Sequence, residues 1–223
     1  MSICITRRQH NMTKEIVSQE QMMSILDTCY GAAINGLPKT PTASDIAQEY
    51  LKKYEDPEIA IKKLVNAQIA KCTTSGFLTS LGGLITLPIA IPANIASVMY
   101  VQIRMIAAIA TIGGYDLQDD EVQTLIYVCL AGMSISDVCK QVGVQFTNKF
   151  TMSMLKKLPG TVLTKINQKV GFRFVTKFGQ KGPIHLGKMV PVAGGIVGGG
   201  IDFVGTHKIA KIAYKTFILN DLD

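Results

Sequence analysis

The feature that most constrains this chain is a stretch of 32 residues without a charge, 72–103. About 20 consecutive apolar residues suffice for a helix that crosses a bilayer, and this stretch is longer. Glycines and prolines interrupt it, at Gly76, Gly82, Gly83, Pro88 and Pro92. We therefore predict a broken hairpin of two apolar helices, 73–87 and 93–112, joined at 87–92.

Two environments suit such a hairpin. In the first, it inserts into lipid, and Asn94, close to Pro92, satisfies backbone groups that the break leaves free. In the second, Pro88 and Pro92 shape a buried hairpin at the centre of a helical bundle. Length favours the bilayer and the breaks favour a protein core, so both remain open.

The charges are few and unevenly distributed. Apolar residues make up 48% of the chain and charged residues 17%, against roughly 25% charged in an ordinary soluble protein. This composition excludes a disordered chain, a coiled coil and a nucleic-acid-binding tail. Residues 1–144 contain 11 basic and 13 acidic residues, whereas residues 145–223 contain 12 and 3. The basic C-terminal part predicts an anionic partner, phospholipid headgroups before nucleic acid.

Outside the hairpin, the apolar residues also recur with a helical period, and no stretch alternates as a strand would. The spacing and the capping residues predict helices over 12–33, 44–54, 57–71, 119–131, 134–157, 161–178 and 191–219. The predicted fold is an all-α bundle of several helices, with the broken hairpin and a glycine-rich C-terminal helix.

Three blocks of sequence resemble the EcsC family of bacterial proteins. They are GFLT at 76–79 with GG at 82–83 and IPAN at 91–94, YVQIRMI at 100–106 with GGYD at 113–116, and VPVAGG at 190–195 with Gly198, Gly199 and Asp202. The resemblance covers about 56–218, so we expect a family domain at 56–219 and an N-terminal helical extension at 1–55. It implies a helical, membrane-associated protein. The family is named for a gene beside an ABC transporter, which makes such a transporter a possible partner.

Arg104 and Asp202 are the best candidates for a buried ion pair. Arg104 is the only charged residue in 72–115, and Asp202 is the only acid in 138–220. An isolated buried ion costs several kcal/mol, so a buried guanidinium needs a partner. We expect the pair to lock two helices together, and we favour this structural role over ligand binding.

Two stripes of basic residues are candidates for binding an anionic surface. The first basic stripe recurs every four residues beside bulky apolar positions: Lys165, Lys169, Arg173 and Lys177 beside Ile166, Val170, Phe174 and Phe178. The second basic stripe is Lys208, Lys211 and Lys215, opposite Ile209, Ala213 and Phe217. Such faces suit a helix lying on anionic lipid. The alternative is a solvated face above a stripe that faces the protein core.

Glycines four residues apart give the last predicted helix a flat surface. They form two overlapping pairs, Gly194 with Gly198 and Gly195 with Gly199. A second helix can approach such a surface closely, either within the chain or in a homo-oligomer.

No arrangement of residues points to catalysis. The three histidines, His10, His185 and His207, are scattered and fit no metal-binding pattern, and the cysteines form no CxxC motif. We therefore expect no enzyme activity, no metal and no cofactor. Nucleic-acid binding is disfavoured because no recognised motif is present.

These observations predict a membrane-associated protein on the cytoplasmic side of the cell membrane, peripheral or partly inserted. The cytoplasmic location follows from the absence of an N-terminal signal peptide in the sequence. Its expected role is accessory to a transporter or another membrane complex. The alternatives are a membrane-perturbing, pore-forming effector and a soluble helical bundle that binds an apolar ligand.

Overall fold

The computed structural model describes residues 17–73, 93–176 and 195–223, with side chains within 17–71, 96–176 and 205–223. Across these ranges the chain forms nine helices and no strand, which confirms the all-α prediction. They are α1 (Gln19–Asn35), α2 (Ala43–Lys53), α3 (Pro57–Thr73), α4 (Ala93–Ile112), α5 (Asp120–Leu130), α6 (Ile135–Gln141), α7 (Met152–Leu155), α8 (Gly160–Phe174) and α9 (Gly195–Phe217).

Capping boxes set the starts of the first two helices. The Ser18 hydroxyl accepts a hydrogen bond from the backbone N–H of Gln21 at 3.2 Å, and the Gln21 side chain accepts one from the N–H of Ser18 at 2.7 Å. Thr42 and Asp45 make the same reciprocal pair, at 3.0 Å in both directions. Each box satisfies backbone donors that a helix start leaves free.

Helix α4 is the centre of the fold. It packs against α1, α2, α3, α5 and α9, and every residue in 99–110 is buried. The hydrophobic core therefore forms around a helix that is apolar on nearly all sides. The described part of the predicted hairpin is enclosed by protein.

Two contacts fix the register of α9 on α4. The Gln102 side chain donates to the Thr206 hydroxyl at 2.8 Å, and the backbone at Gly113 closely approaches the Phe217 carbonyl group. Both contacts join residues 104 positions apart, so the two helices run in parallel. A Cβ atom at Gly113 would collide with the Phe217 backbone.

The prediction of one long helix over 134–157 is wrong. Its start is correct, because the Ser134 hydroxyl accepts from the N–H of Asp137 at 3.1 Å, but α6 ends at Gln141. Gly143 adopts a φ of 89°, and the N–H of Val144 donates to the Cys139 carbonyl at 2.9 Å. This is a Schellman-type end that a glycine in the left-handed region permits. Only the four-residue helix α7 follows before α8 in this described part of the chain.

The two helices that contain the predicted basic stripes are described in part. Helix α8 covers Gly160–Phe174 and is followed by a π turn at 175–176, whereas the predicted end at 178 lies outside the described residues. Helix α9 covers Gly195–Phe217, so it ends two residues before the predicted 219, and its predicted start at 191 lies outside the described residues.

The first predicted helix, 12–33, is observed from Gln19 to Asn35, and residues 1–16 lie outside the described ranges. The predicted helix 73–87 lies almost wholly outside them, together with Pro88 and Pro92. Asn94 is in the first turn of α4, where only the backbone is described.

The N-terminal helices share the core of the rest of the chain. One hydrophobic cluster includes Leu26 of α1, Ile46 of α2, Ile106 of α4 and Phe217 of α9. The predicted domain boundary at residue 55 remains a prediction.

Among the described helices, none is by itself both long and apolar enough to cross a bilayer. Helices α5 and α6 together pass that test by length and composition, with a bend of 97° between them. Most of α5 is buried within the protein, from Thr124 to Leu130.

Candidate functional site

Three cations on α8 are exposed and form no ion pair with an acid that the structure describes. Lys165, Lys169 and Arg173 all lie on the solvent side of the helix, and α8 itself contains no Asp or Glu. The ion pairs in the described ranges involve other lysines: Lys149 and Lys215 with Asp221, and Lys156 with Asp119. This part of the first basic stripe is thus a positive surface whose cations are not held in described ion pairs. Lys177, the last member, lies outside the described residues.

Arg173 is also held in position by a neutral partner. Its Nε atom donates to the Ala131 carbonyl oxygen at 3.0 Å. This hydrogen bond joins α8 to the end of α5 and leaves the positive charge of the guanidinium without a counter-ion among the described residues.

Phe172 lies on the same exposed surface, although the sequence pattern did not single it out. Its side chain is 55% exposed. At about 100° per residue, Phe172 projects within about 20° of Lys165 and about 60° of Lys169. The spacing of these residues in the sequence is therefore enough to predict that Phe172 lies beside the two lysines. We call Lys165, Lys169, Phe172 and Arg173 the α8 face.

The apolar residues predicted beside the first basic stripe face the core. Ile166, Val170 and Phe174 are buried against the rest of the bundle, whereas Phe178 is not described. The arrangement matches a solvated face above a core-facing stripe. Because those side chains are already buried, Phe172 is the large apolar side chain that the described part of α8 leaves exposed.

The second basic stripe is exposed too, but one of its members is paired. Lys208, Lys211 and Lys215 face solvent, and the Lys215 ammonium lies 3.5 Å from Asp221. Lys149 reaches the other oxygen of that carboxylate at 3.1 Å. The hydrogen bond from Lys149, reinforced by both positive charges, holds the pKa of Asp221 below its usual value. The opposite residues, Ile209, Ala213 and Phe217, are buried.

A cleft of about 750 Å³ lies along α1, beside its contact with α8 and next to the α8 face. Its α1 wall contains the carboxylates of Glu20 and Asp27, and Gln168 lines the α8 side. The buried Tyr127 hydroxyl donates to Asp27 at 2.7 Å and holds that carboxylate in place. The acidic wall marks the limit of the positive surface on the α1 side.

The buried cation of the predicted ion pair has neutral partners. Arg104 is 1% exposed, and its terminal nitrogens donate to the Tyr100 hydroxyl at 3.2 Å and to the Gln68 side-chain oxygen at 3.3 Å. Its guanidinium carbon lies 5.0 Å from the centre of the Tyr100 ring. The Nε atom has no hydrogen-bond acceptor among the described residues. The side chain of Asp202 lies outside them, so the pairing of Arg104 with Asp202 remains a prediction.

A comparison with known protein families matches residues 5–219 to the EcsC protein family. The chain belongs to this family. The match is longer than the blocks 56–218 that carried the resemblance, and it includes α1 and α2. No curated protein and no solved structure matches the chain.

The glycine-rich part of this EcsC chain is described only as backbone. Gly195, Gly198 and Gly199 lie in the first turns of α9, and Gly194 precedes the described range. Helix α9 packs against α3 and α4 of the same chain. The close helix contact at these glycines stays a prediction.

Within the described ranges, no three His, Cys, Asp or Glu side chains group as metal ligands would. His207 is exposed there, and His10 and His185 are not described. Burial raises the pKa of the Cys129 thiol to about 12, opposed only by its hydrogen bond to Thr216. That thiol stays protonated near neutral pH, which makes it a poor nucleophile.

Proposed function

We propose that this EcsC-family chain is a non-enzymatic, peripheral membrane protein that binds anionic lipid on the cytoplasmic side of the cell membrane. Its contact surface is the α8 face, and its role is accessory to an ABC transporter or another membrane complex. The observation that supports the proposal is the exposure of Lys165, Lys169 and Arg173, none of which forms an ion pair with a described carboxylate.

The size of the electrostatic contribution follows from the number of cations. Each Lys or Arg close to an anionic membrane contributes about 1 kcal/mol. Three such charges contribute about 3 kcal/mol, or roughly a hundredfold in affinity. The attraction should weaken strongly with salt, because the Debye length falls from about 30 Å at 0.01 M to about 3 Å at 1 M ionic strength.

A peripheral contact is supported by the position of α4. Its side chains from 99 to 110 are already buried by five other helices, so their exposure to lipid would require the core to open. The α8 face, in contrast, needs no rearrangement to meet a surface.

Vesicle binding tests the proposal. The full chain is mixed with vesicles of equal parts phosphatidylglycerol and phosphatidylcholine, and the bound fraction is measured by flotation at low and high salt. We expect binding at low salt, and a roughly hundredfold weaker affinity for K165Q/K169Q/R173Q. The matched control, K52Q/K62Q/K63Q, removes three exposed lysines near the α2–α3 corner, where Glu49, Glu55, Asp56 and Glu58 accompany them. It should bind like the unmodified chain.

Three results would contradict the proposal. The unmodified chain does not bind anionic vesicles at low salt, or both triple variants lose affinity equally, or binding releases a trapped dye. Dye release would support the membrane-perturbing effector instead. An absence of vesicle binding together with uptake of an apolar probe would support the soluble, ligand-binding bundle.

The accessory role has its own test. Cross-linking of the chain in native membranes, followed by mass spectrometry, should recover subunits of a membrane transporter or complex. The K165Q/K169Q/R173Q variant should recover them less well, because it reaches the membrane less often. Recovery of lipid-exposed proteins at random, without enrichment of one complex, would argue against this role.

A further inference from the structure

Phe172 is distinguished from the other exposed apolar side chains by its neighbours. Four large hydrophobic residues are exposed in the described ranges: Leu51, Ile59, Phe172 and Leu219. Of these, only Phe172 lies on the same exposed helix surface as the cations of the α8 face, next to Lys165. Leu51 and Ile59 lie near acidic residues at the α2–α3 corner, and Leu219 follows Lys215, which forms an ion pair with Asp221.

We propose that Phe172 inserts below the lipid headgroups and anchors the chain when the α8 face meets an anionic bilayer. This inference rests on the proposed function. It adds that the partner is a bilayer with an apolar layer beneath its charges, a layer that a soluble polyanion such as heparin lacks. An apolar side chain next to cations suits the boundary between headgroups and acyl chains.

The geometry of α8 also fixes how this helix is oriented relative to the membrane surface. Lys165, Lys169 and Phe172 project within an arc of about 60° and occupy two successive turns, so they can touch one plane together only if the helix lies along it. Ile166 and Val170, on the other side, remain in the protein core. The helix therefore lies on the surface without leaving the bundle, and one aromatic ring enters the lipid.

Tryptophan fluorescence tests the insertion, because the chain contains no tryptophan. Phe172→Trp introduces a single reporter at an exposed position. The matched control is Leu219→Trp, at a side chain with nearly the same exposure, 57%, beyond the end of α9. With anionic vesicles, we expect a blue shift and quenching by brominated lipids for Phe172→Trp, and neither change for Leu219→Trp.

A second variant measures the contribution of the ring. Phe172→Ala should weaken binding to anionic vesicles about five- to tenfold at low salt, because the binding free energy of an apolar ring in lipid is lost. It should leave binding to a soluble polyanion, heparin, unchanged and the thermal unfolding midpoint within experimental error. Leu219→Ala should change neither binding.

The outcomes separate this inference from the proposed function. If Phe172→Trp binds vesicles without a blue shift or quenching, the inserted anchor is wrong and electrostatic binding stands. A blue shift for Leu219→Trp as strong as the one for Phe172→Trp would overturn the proposal that the α8 face is the surface that meets the membrane. If the chain does not bind anionic vesicles at all, the proposed function itself fails.

Discussion

Arg104 in α4 and the cations of the α8 face are positive charges in opposite settings. Arg104 is enclosed at the centre of the bundle, where its described partners are neutral groups, a phenol and an amide. The cations on α8 are in water, with no described partner of opposite charge. The comparison teaches that the interior charge is held by hydrogen bonds within the protein, whereas the surface charges can still bind an anionic partner.

The two settings also differ in what a mutation should change. Loss of a charge from the interior should appear in the free energy of unfolding, because a buried polar cluster loses its centre. Loss of the exposed charge of Lys165 or Lys169 should change that free energy by less than about 0.5 kcal/mol and appear in binding instead.

The largest effect on stability is expected from Arg104→Ala. It removes a guanidinium that is enclosed and hydrogen-bonded, and if Asp202 is its partner it leaves a buried carboxylate unpaired. We expect a loss of about 3 to 5 kcal/mol in urea-induced unfolding. The double variant R104A/D202A should lose less, because no unpaired charge is left behind. An equal loss in both variants would show that the two residues do not pair.

A smaller loss of stability is expected when a glycine beside α4 or within α8 is replaced by alanine. A Cβ atom at Gly113, directly after α4, would meet the backbone of Phe217, which cannot move aside. At Gly171 of α8 it would lie 3.0 Å from the sulfur of Met23, the end of a flexible side chain. Gly113→Ala should therefore cost about 1 to 3 kcal/mol and Gly171→Ala less, both by urea unfolding. A greater loss at Gly171 would contradict the rigid contact of α4 with α9.

The smallest expected effect is a pH dependence of the folding stability that comes from Lys71, which is half-buried near Arg104. Burial lowers its pKa first, and the charge of Arg104 lowers it further, opposed by Glu49. Between this lowered pKa and the usual value of about 10.4, the unfolded chain binds more protons than the folded one. Stability should thus rise with pH in that window.

Arg104→Gln tests this coupling, because it removes the repulsion and leaves the burial. The pKa of Lys71 should rise towards its usual value, as measured by NMR of its Cε resonance, and the rise of stability with pH should become shallower. An unchanged Lys71 titration would mean that Arg104 does not influence this lysine.

Much of the fold could be predicted from local sequence signals. The start of α4 at 93 and its end at 112 follow from the proline break and the paired glycines, and the prediction for α2 was displaced by one residue. The error after Ser134 came from Gly143, whose left-handed conformation stops the helix. A glycine inside an apolar pattern does not reveal by itself whether the helix continues past it.

The candidate site was predictable to a different degree. The exposure of Lys165, Lys169 and Arg173 follows from their helical spacing, and so does the position of Phe172 beside them. The identity of the hydrogen-bond partner of Arg104 on α3 does not follow from any spacing in the sequence. Gln68 is 36 positions away in sequence, and it meets Arg104 only because α3 and α4 pack together. Contacts between distant helices depend on tertiary packing, which no local pattern encodes.

The parallel register of α4 and α9 has a consequence for biosynthesis. The chain just after α4 rests against Phe217, about 100 residues later, a length that takes roughly 5 to 20 s to translate at about 5–20 residues per second. During that interval the nascent chain has made α4, the most apolar of the described helices, but not α9, which covers the side of α4 at Gln102. A ribosome-bound chain of this protein should therefore depend on chaperones until its C-terminal helix emerges.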